Sequence, residues 1–261
     1  MTTAVQVAVE AARAAGRIQS EHTGNIRDIS EKGGLRGDVV TEVDLLCEKE
    51  IIRRIRETFS DHAILAEESG KTRGDSENKW IIDPLDGSLN YSHGYPCYCT
   101  SIGLEHAGEL VIGVVYNPCL DEMFVAEKGK GATLNGKPIR VSNTETLDKS
   151  LLVTGFTPRI VGREDDNLEH FYNFMQACQA VRRPGSAAMD FCYTATGRFD
   201  GFWEAYLNPW DMAAGVLIVR EAGGTVTRFD GGGSFSIYDN NVLATNGRIH
   251  QEMVGVLVEG R

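Results

Sequence analysis

The chain has 261 residues and a formal net charge of −11, because 37 Asp and Glu outnumber 26 Lys and Arg. This acidic balance argues against a protein that binds nucleic acid or an anionic membrane surface. Hydrophobic residues make up 42% of the chain and charged residues 24%, close to the average for globular proteins, which excludes disordered and collagen-like chains.

The N-terminal stretch is apolar, but Glu10, Arg13 and Arg17 interrupt it, so it lacks the core of a signal peptide. No apolar run in the sequence is long enough for a membrane-spanning helix. The six cysteines include no CxxC spacing, and we interpret them as reduced thiols. We therefore expect a cytoplasmic protein.

The first half of the chain predicts two helices followed by antiparallel sheet. Apolar residues at three- and four-residue spacing predict an amphipathic helix over residues 5–18, and a polar, glycine-rich loop follows over 22–37. A second helix is predicted over 41–59, with Thr41 as its N-cap. Strand patterns then occur at 63–66, 80–83, 101–104, 110–116 and 123–125, and the last three are typical of a hairpin meander.

Beyond residue 149 the predicted strands and helices alternate. Strands are predicted at 151–153, 199–203, 225–227 and 242–244, and helices at 168–181, 187–196, 210–222 and near the C-terminus. The change near residue 145 predicts an N-terminal α+β subdomain, 1–146, and a C-terminal α/β subdomain, 147–261, within one compact unit. The two halves together predict a layered α+β sandwich.

The densest functional signal is the segment WIIDPLDGSLNY at 80–91. An apolar strand ends there in Asp83 and Asp86, while Pro84 favours extended backbone at Asp83 and Gly87 frees the next turn. Two carboxylates that meet at a strand end repel each other unless a cation lies between them, and oxygen ligands suit Mg²⁺ or Mn²⁺. The structural alternative is a strand that ends in an Asx-type turn.

Three further segments carry acids or hydroxyls, and each has a structural alternative. Glu67 and Glu68 follow a predicted strand and also fit a solvated loop. Thr41 and Asp44 begin a helix and also fit simple N-capping. Asp211 opens an apolar helix, where it would also balance the helix dipole. One shared site explains all these segments together, whereas the separate explanations must each hold on their own.

Five segments also carry a family resemblance: DVVTEVD (38–44), AEES (66–69), WIIDPLDGSLNY (80–91), RPGSAAMD (183–190) and WEAYLNPWDMAAGVLIVREAGG (203–224). In their order and separations they resemble the inositol monophosphatase family of Mg²⁺-dependent, lithium-sensitive phosphatases, over nearly the whole chain. The resemblance implies the αβαβα sandwich of that family, a homodimer and a phosphoric monoester hydrolase.

The resemblance also implies roles for individual residues. It implies two to three Mg²⁺ ions, for which Mn²⁺ substitutes, held by Glu67, Asp83, the Leu85 carbonyl, Asp86 and Asp211. A metal-bound water would attack phosphorus directly, without a phosphoenzyme, and the implied catalytic residues are Glu67, Asp44, Thr41 and Ser88. The implied substrate contacts are Asp86, Gly87, Ser88, Gly185, Ser186, Ala187, Glu204 and Asp211.

The substrate implied by the resemblance is inositol monophosphate or a similar small polyol phosphate. Fructose 1,6-bisphosphate, histidinol phosphate, NADP and a 3′-phosphonucleotide are alternatives, and a non-catalytic regulator that binds metal or phosphate is a further one. A buried Glu204 would accept hydrogen bonds from substrate hydroxyls and so favour a polyol. Lys32 or Arg36, in the loop before Asp38, is a candidate for a cation near the site.

Overall fold

The structure is a computed structural model that describes residues 3–26, 28–31, 37–160, 163 and 167–259. The described residues form seven helices: α1 (Ala4–His22), α2 (Glu42–Thr58), α3 (Ser88–Ser92), α4 (Leu168–Ala177), α5 (Ala187–Ala195), α6 (Pro209–Glu221) and α7 (His250–Glu259). None of the helices in these ranges combines the length and apolar composition needed to cross a bilayer.

The strands of the first half form a two-stranded ribbon and an eight-stranded sheet. They are β1 (Ile29–Glu31), β2 (Val39–Thr41), β3 (Ala63–Ala66), β4 (Gly70–Thr72), β5 (Asn78–Asp86), β6 (Cys99–His106), β7 (Glu109–Asn117), β8 (Glu122–Glu127), β9 (Gly131–Leu134) and β10 (Lys137–Pro138). The ribbon pairs β1 with β2, and the sheet has the order β10-β9-β8-β7-β6-β5-β3-β4. Its pairs are antiparallel except β3 with β5, which is parallel.

The second half forms a five-stranded sheet with the order β12-β11-β13-β15-β14. Its strands are β11 (Leu151–Thr154), β12 (Ala180–Arg182), β13 (Gly201–Ala205), β14 (Thr225–Thr227) and β15 (Asn241–Thr245). Strand β11 runs parallel to β12 and β13, while β15 runs antiparallel to β13 and β14.

The two sheets alternate with three helical layers. Helices α1 and α2 pack on one face of the eight-stranded sheet, around an apolar cluster that includes Ile51, Ile55 and Trp80. Helices α5 and α6 lie between the sheets, and α4 and α7 cover the outer face of the five-stranded sheet around Phe174 and Met253. This arrangement confirms the layered α+β sandwich.

Small residues bring α6 close to the eight-stranded sheet. A Cβ atom at Gly103 would lie 2.7 Å from the Ala213 Cβ, and one at Gly113 would lie 2.6 Å from the Ala214 carbonyl oxygen. Real Cβ atoms do not approach so closely, so larger side chains in β6 or β7 would push α6 outward. The position of α6 determines where its N-terminal residue Asp211 lies.

Several predicted elements differ from those in the structure. The loop predicted over 22–37 contains β1, which pairs with β2. The helix predicted over 168–181 ends at Ala177, and β12 follows it, because Cys178 adopts extended backbone and β12 pairs with β11 at the sheet edge. The strand predicted over 199–203 lies two residues later, as β13. The subdomain boundary between residues 146 and 147 stays a prediction.

Candidate functional site

A cavity of about 530 Å³ lies where the end of β5 meets the first turns of α3, α5 and α6. It brings together the predicted metal and substrate residues: Glu67, Asp83, Leu85, Asp86, Gly87, Ser88, Gly185, Ser186, Ala187, Glu204 and Asp211. The predicted residues Thr41 and Asp44 lie behind Ser88 and reach the cavity through its hydroxyl. Lys32 and Arg36 lie outside the described residues.

The carboxylates in the cavity are buried or partly buried and influence one another. Burial raises the pKa of Asp83 well above its ordinary value, and the charges of Glu67, Asp86 and Asp211 raise it further. The pKa of Asp211 is raised by burial first and then by Glu67 and Asp86. Such a group is stabilised either by protons or by bound cations, and hard divalent cations prefer carboxylate oxygens.

The chemistry of these oxygen donors therefore fits Mg²⁺, although the donors do not lie at coordination distance around one point. In the part of the chain that the structure describes, no three His, Cys, Asp or Glu side chains are close enough to hold one ion. Mutual repulsion of like charges opposes a tighter cluster, and cations would remove that opposition. Leu85 also lines the cavity, and its carbonyl would be a neutral oxygen ligand.

The backbone at the end of β5 has an irregular register. Asp83 pairs with Ser101 and Asp86 with Cys99, so the pairing of β5 with β6 shifts between the two acids. The Leu85 amide donates to Asp83 Oδ1 at 3.0 Å, so the Asx-type contact expected as the structural alternative is present. The strand nevertheless continues to Asp86, and both carboxylates line the cavity.

Asp86 connects β5 to the start of α5. Its Oδ2 atom accepts hydrogen bonds from the Ser186 hydroxyl at 2.6 Å and from the Ala188 amide at 2.8 Å. Burial raises the pKa of Asp86, and these bonds oppose the increase because they favour the charged form. The contacts hold Ser186 and Ala187 beside the acidic cluster.

Asp44 belongs to the capping box of α2 and also contacts Ser88. The Thr41 amide and hydroxyl donate to Asp44 Oδ2 at 2.8 and 2.6 Å, which completes the capping box at the start of α2. The Ser88 hydroxyl donates to Asp44 Oδ1 at 2.6 Å, and its oxygen also lies 2.7 Å from the Leu85 carbonyl oxygen. The capping alternative is therefore correct locally, and the same carboxylate also orients Ser88.

Asp211 has the same double position at the start of α6. The Asn208 backbone amide donates to Asp211 Oδ2 at 2.7 Å and forms part of a capping box, while Pro209 occupies the first turn. Asp211 also lines the cavity. Capping alone would not require Asp211 to lie among other acids, because like charges nearby raise the free energy of a carboxylate.

Glu204 lies on β13 and faces the cavity beside the end of β11. A Cβ atom at Gly155 would overlap the Glu204 carboxylate, so the absence of a side chain at position 155 makes room for it. Burial raises the pKa of Glu204 well above its ordinary value, and Asp211 and Asp86 raise it further, while Arg183 lowers it.

Asp190 is a cavity residue to which sequence reasoning gave no role. It lies one turn after Ser186 in α5, is 0% exposed, and its two carboxylate oxygens have no hydrogen-bond partner among the described residues. Burial raises its pKa well above the ordinary value, followed by the charges of Glu204 and Asp86. The signal in the sequence was an acid within an apolar helix, since acids are rarely buried unless they are paired.

A second feature missed from the sequence is an apolar wall. Its apolar side chains line the same cavity as the carboxylates: Phe156, Pro158, Ile160, Leu168 and Leu207. The guanidinium of Arg183 lies over the Phe156 ring, 5.8 Å from its centroid. These residues come from separate segments, so only the folded chain reveals the wall.

The protein is a layered α+β sandwich with an acidic cavity at the end of β5. The sequence profile of the inositol monophosphatase family matches residues 1–260, and the chain belongs to this family. It is 49% identical to an inositol-1-monophosphatase from Synechocystis sp., over 97% of this chain and 88% of the relative. It is 40% identical to the Nus factor SuhB of Escherichia coli strain K12, over 96% of this chain and 94% of the relative.

A solved structure gives the same result for the fold. The inositol monophosphatase from Anabaena (Nostoc) sp. superimposes with a TM-score of 0.89 and 42% identity, over 98% of this chain and 95% of the other. The chain is therefore a phosphatase with the fold of this family.

Proposed function

We propose that the protein is a Mg²⁺-dependent phosphomonoesterase that hydrolyses inositol monophosphate or a similar small polyol phosphate. One observation carries the proposal: buried carboxylates that fit divalent cations share a cavity with a serine hydroxyl hydrogen-bonded to a second carboxylate. Direct attack by water needs cations at the phosphate and a proton acceptor near the water, and this cavity offers groups for both.

The residues that would hold the cations are Glu67, Asp83, the Leu85 carbonyl, Asp86 and Asp211. When bound, Mg²⁺ would neutralise charge on the phosphate and lower the pKa of water. Mn²⁺ has similar ligand preferences and would substitute for it. The number of ions, two to three, stays a prediction from the family resemblance.

Ser88, Asp44 and Thr41 would move a proton away from the attacking water. The Ser88 oxygen would accept a proton from water while its own proton passes to Asp44 Oδ1, 2.6 Å away. The two Thr41 donors hold Asp44 Oδ2, so the other oxygen is kept towards Ser88. The chain thus supplies an oriented base without a histidine.

The remaining residues would orient the ester. The backbone amides of Gly87 and Ser88 would contact the phosphate, while Gly185, Ser186 and Ala187 line the wall beside it. Glu204 would accept hydrogen bonds from hydroxyls of the polyol. A buried acceptor left unpaired by an analogue without those hydroxyls costs free energy, which gives discrimination.

A phosphate-release assay with full-length protein and Mg²⁺ tests the proposal. The substrates are inositol 1-phosphate, fructose 1,6-bisphosphate, histidinol phosphate, NADP and a 3′-phosphonucleotide. We expect the highest kcat/KM for inositol 1-phosphate and loss of activity in Asp83→Asn. Undiminished turnover by Asp83→Asn would contradict the metal assignment, and a preference for a different ester would contradict the substrate assignment.

Two further candidate functions have specific support. The apolar wall next to Arg183 suits a nucleoside-sized group, which favours NADP or a 3′-phosphonucleotide over fructose 1,6-bisphosphate and histidinol phosphate. The similarity to proteins named Nus factor SuhB supports a non-catalytic binding role as the second candidate. Binding of Mg²⁺ or phosphate without hydrolysis of any ester would favour this role. A cytoplasmic location stays a prediction from the sequence, and lithium sensitivity and a homodimer stay implications of the family resemblance.

A further inference from the structure

Glu48 is a buried acid outside the cavity. It lies on α2 and is 4% exposed. Its Oε2 atom accepts a hydrogen bond from the Glu68 amide at 2.8 Å, and its Oε1 atom accepts one from the Ser69 amide at 2.9 Å. Both oxygens of one carboxylate are therefore bonded to consecutive backbone amides, and those amides directly follow Glu67.

The segment held by Glu48 is a short hairpin loop. Strands β3 and β4 pair at Ala66 and Gly70, so Glu67 begins a three-residue connection between them. The Glu67 amide donates to the Ile82 carbonyl of β5 at 3.2 Å, which fixes the start of the loop. The contacts to Glu48 fix the two following residues. The backbone of Glu67 is thus held from two sides.

A carboxylate suits this position better than other side chains of the same length. Hydrogen bonds to an ionised acceptor are stronger than neutral ones, and a carboxylate offers two equivalent oxygens. A glutamine offers one oxygen, and its amide group would face one of the donating N–H groups. Burying a carboxylate costs free energy unless its oxygens are hydrogen-bonded, and the two amides supply those hydrogen bonds to Glu48.

Helix α2 carries Asp44 one turn before Glu48. Residues four apart lie on the same face of a helix, so the two acids point towards neighbouring parts of the site. Asp44 orients Ser88, and Glu48 holds the loop of Glu67. One rigid helix therefore relates the position of the proton acceptor to that of a proposed metal ligand.

We infer that Glu48 is a positioning residue that places Glu67 and thereby sets the affinity of the site for Mg²⁺. The inference rests on the proposed function, since it takes Glu67 as a metal ligand. Residues that support metal ligands typically change metal affinity by about 10- to 100-fold when they are replaced. We expect the loss of Mg²⁺ affinity to lie at the lower end of this range for Glu48→Gln, which keeps one of the two hydrogen bonds. The loss should be larger for Glu48→Ala, which keeps neither.

The test compares Glu48→Gln and Glu48→Ala with wild type in the full-length protein. Mg²⁺ binding is measured by calorimetry, and phosphate release from inositol 1-phosphate is measured against Mg²⁺ concentration. We expect the dissociation constant for Mg²⁺ to rise about tenfold in Glu48→Gln and further in Glu48→Ala. At saturating Mg²⁺, kcat and KM of Glu48→Gln should lie within about twofold of wild type.

Two control variants separate position from charge and stability. Glu50→Gln lies on the same helix and removes a partly exposed acid paired with Arg53 and Arg54, so it should leave Mg²⁺ binding unchanged. Glu48→Asp keeps the charge but is shorter by one methylene, so it should weaken Mg²⁺ binding as Glu48→Gln does. Wild-type affinity in Glu48→Asp would attribute the effect to charge and overturn the positioning role.

The possible failures are distinguishable. If wild type binds Mg²⁺ and folded Glu48→Gln binds it equally well, the inference is overturned while the proposed function stands. If wild type neither binds Mg²⁺ nor releases phosphate, the proposed function is overturned and the inference with it. A lower Tm with unchanged Mg²⁺ affinity would show a structural role only, which also overturns the inference.

Discussion

Replacing Asp44 by Asn tests the proposed proton acceptor with little change in shape. The carboxamide oxygen would take the place of Oδ2 and keep the hydrogen bonds from the Thr41 amide and hydroxyl. The NH₂ group would then face the Ser88 oxygen, where Asp44 Oδ1 now accepts a bond at 2.6 Å. Ser88 would have to accept instead of donate, and its proton would turn to the Leu85 carbonyl, 2.7 Å away.

The expected effects follow from this reversal. A hydrogen bond to a charged group contributes about 1.5–3 kcal/mol and a neutral one about 0.5–1.5 kcal/mol, so folding should weaken by about 1–2 kcal/mol. The amide NH₂ group cannot take up the Ser88 proton, so Ser88 would no longer pass a proton on when it receives one from water. Loss of general base catalysis lowers kcat by about 10²- to 10⁴-fold.

The assay is phosphate release at saturating Mg²⁺ and inositol 1-phosphate, with Mg²⁺ binding measured separately by calorimetry. Ser88→Ala is the matched variant, because it removes the hydroxyl but leaves the Thr41 cap intact. If the two residues act as one unit, the double variant should be no slower than the slower single variant. A kcat within about threefold of wild type in Asp44→Asn, or multiplied losses in the double variant, would refute the reasoning.

Three further predictions concern other parts of the cavity. Gly155→Ala would place a methyl group against Glu204, so we expect kcat/KM for inositol 1-phosphate to fall about tenfold, with little change for phenyl phosphate. The control is Gly255→Ala, because a Cβ atom at Gly255 on α7 would meet open space. Equal losses of kcat/KM on both esters would contradict hydroxyl recognition by Glu204. Asp190→Asn removes a buried carboxylate without a hydrogen-bond partner among the described residues, so it should raise the Tm of the chelator-treated protein. The expected increase is about 2–4 °C for each kcal/mol by which the free energy of unfolding rises. The folded-state pKa of Asp190 is raised, so its contribution to stability is present below its unfolded-state pKa of about 3.9 and is lost as pH rises through the folded-state pKa. The Tm difference between Asp190→Asn and wild type should therefore grow with pH over that range. A Tm difference that does not depend on pH would contradict this. Removing Mg²⁺ with a chelator should lower the wild-type Tm, since an ion at about 100 times its Kd adds about 2.7 kcal/mol, and an unchanged Tm would contradict cation binding by the folded state.

Much of the fold was readable because its signals are local. The cap of α2 depends on residues three positions apart, and the predicted capping by Thr41 and Asp44 formed in the structure. Long periodic helices and the hairpin meander of β6, β7 and β8 were also predicted. Short edge strands were missed, because strands such as β4, β10 and β12 owe their formation to a neighbouring strand more than to their own few residues.

The sequence by itself determined the residue types of the site and their local geometry: acids at the end of a strand or the start of a helix, beside a glycine or a proline. It left each acid with a structural alternative, and for Asp44, Asp83 and Asp211 the local capping or turn contact is present as well. Local spacing therefore could not separate the two roles.

Only the tertiary structure decided which acids meet. Asp211 reaches the cavity because Gly103 and Gly113 allow α6 to lie against the sheet, and Glu67 lies there because β3 pairs with β5. No sequence motif indicated that Asp190 lines the cavity or that Glu48 accepts a hydrogen bond from the loop after Glu67. Such contacts join residues far apart in the chain, so they depend on packing between layers, which no local pattern encodes.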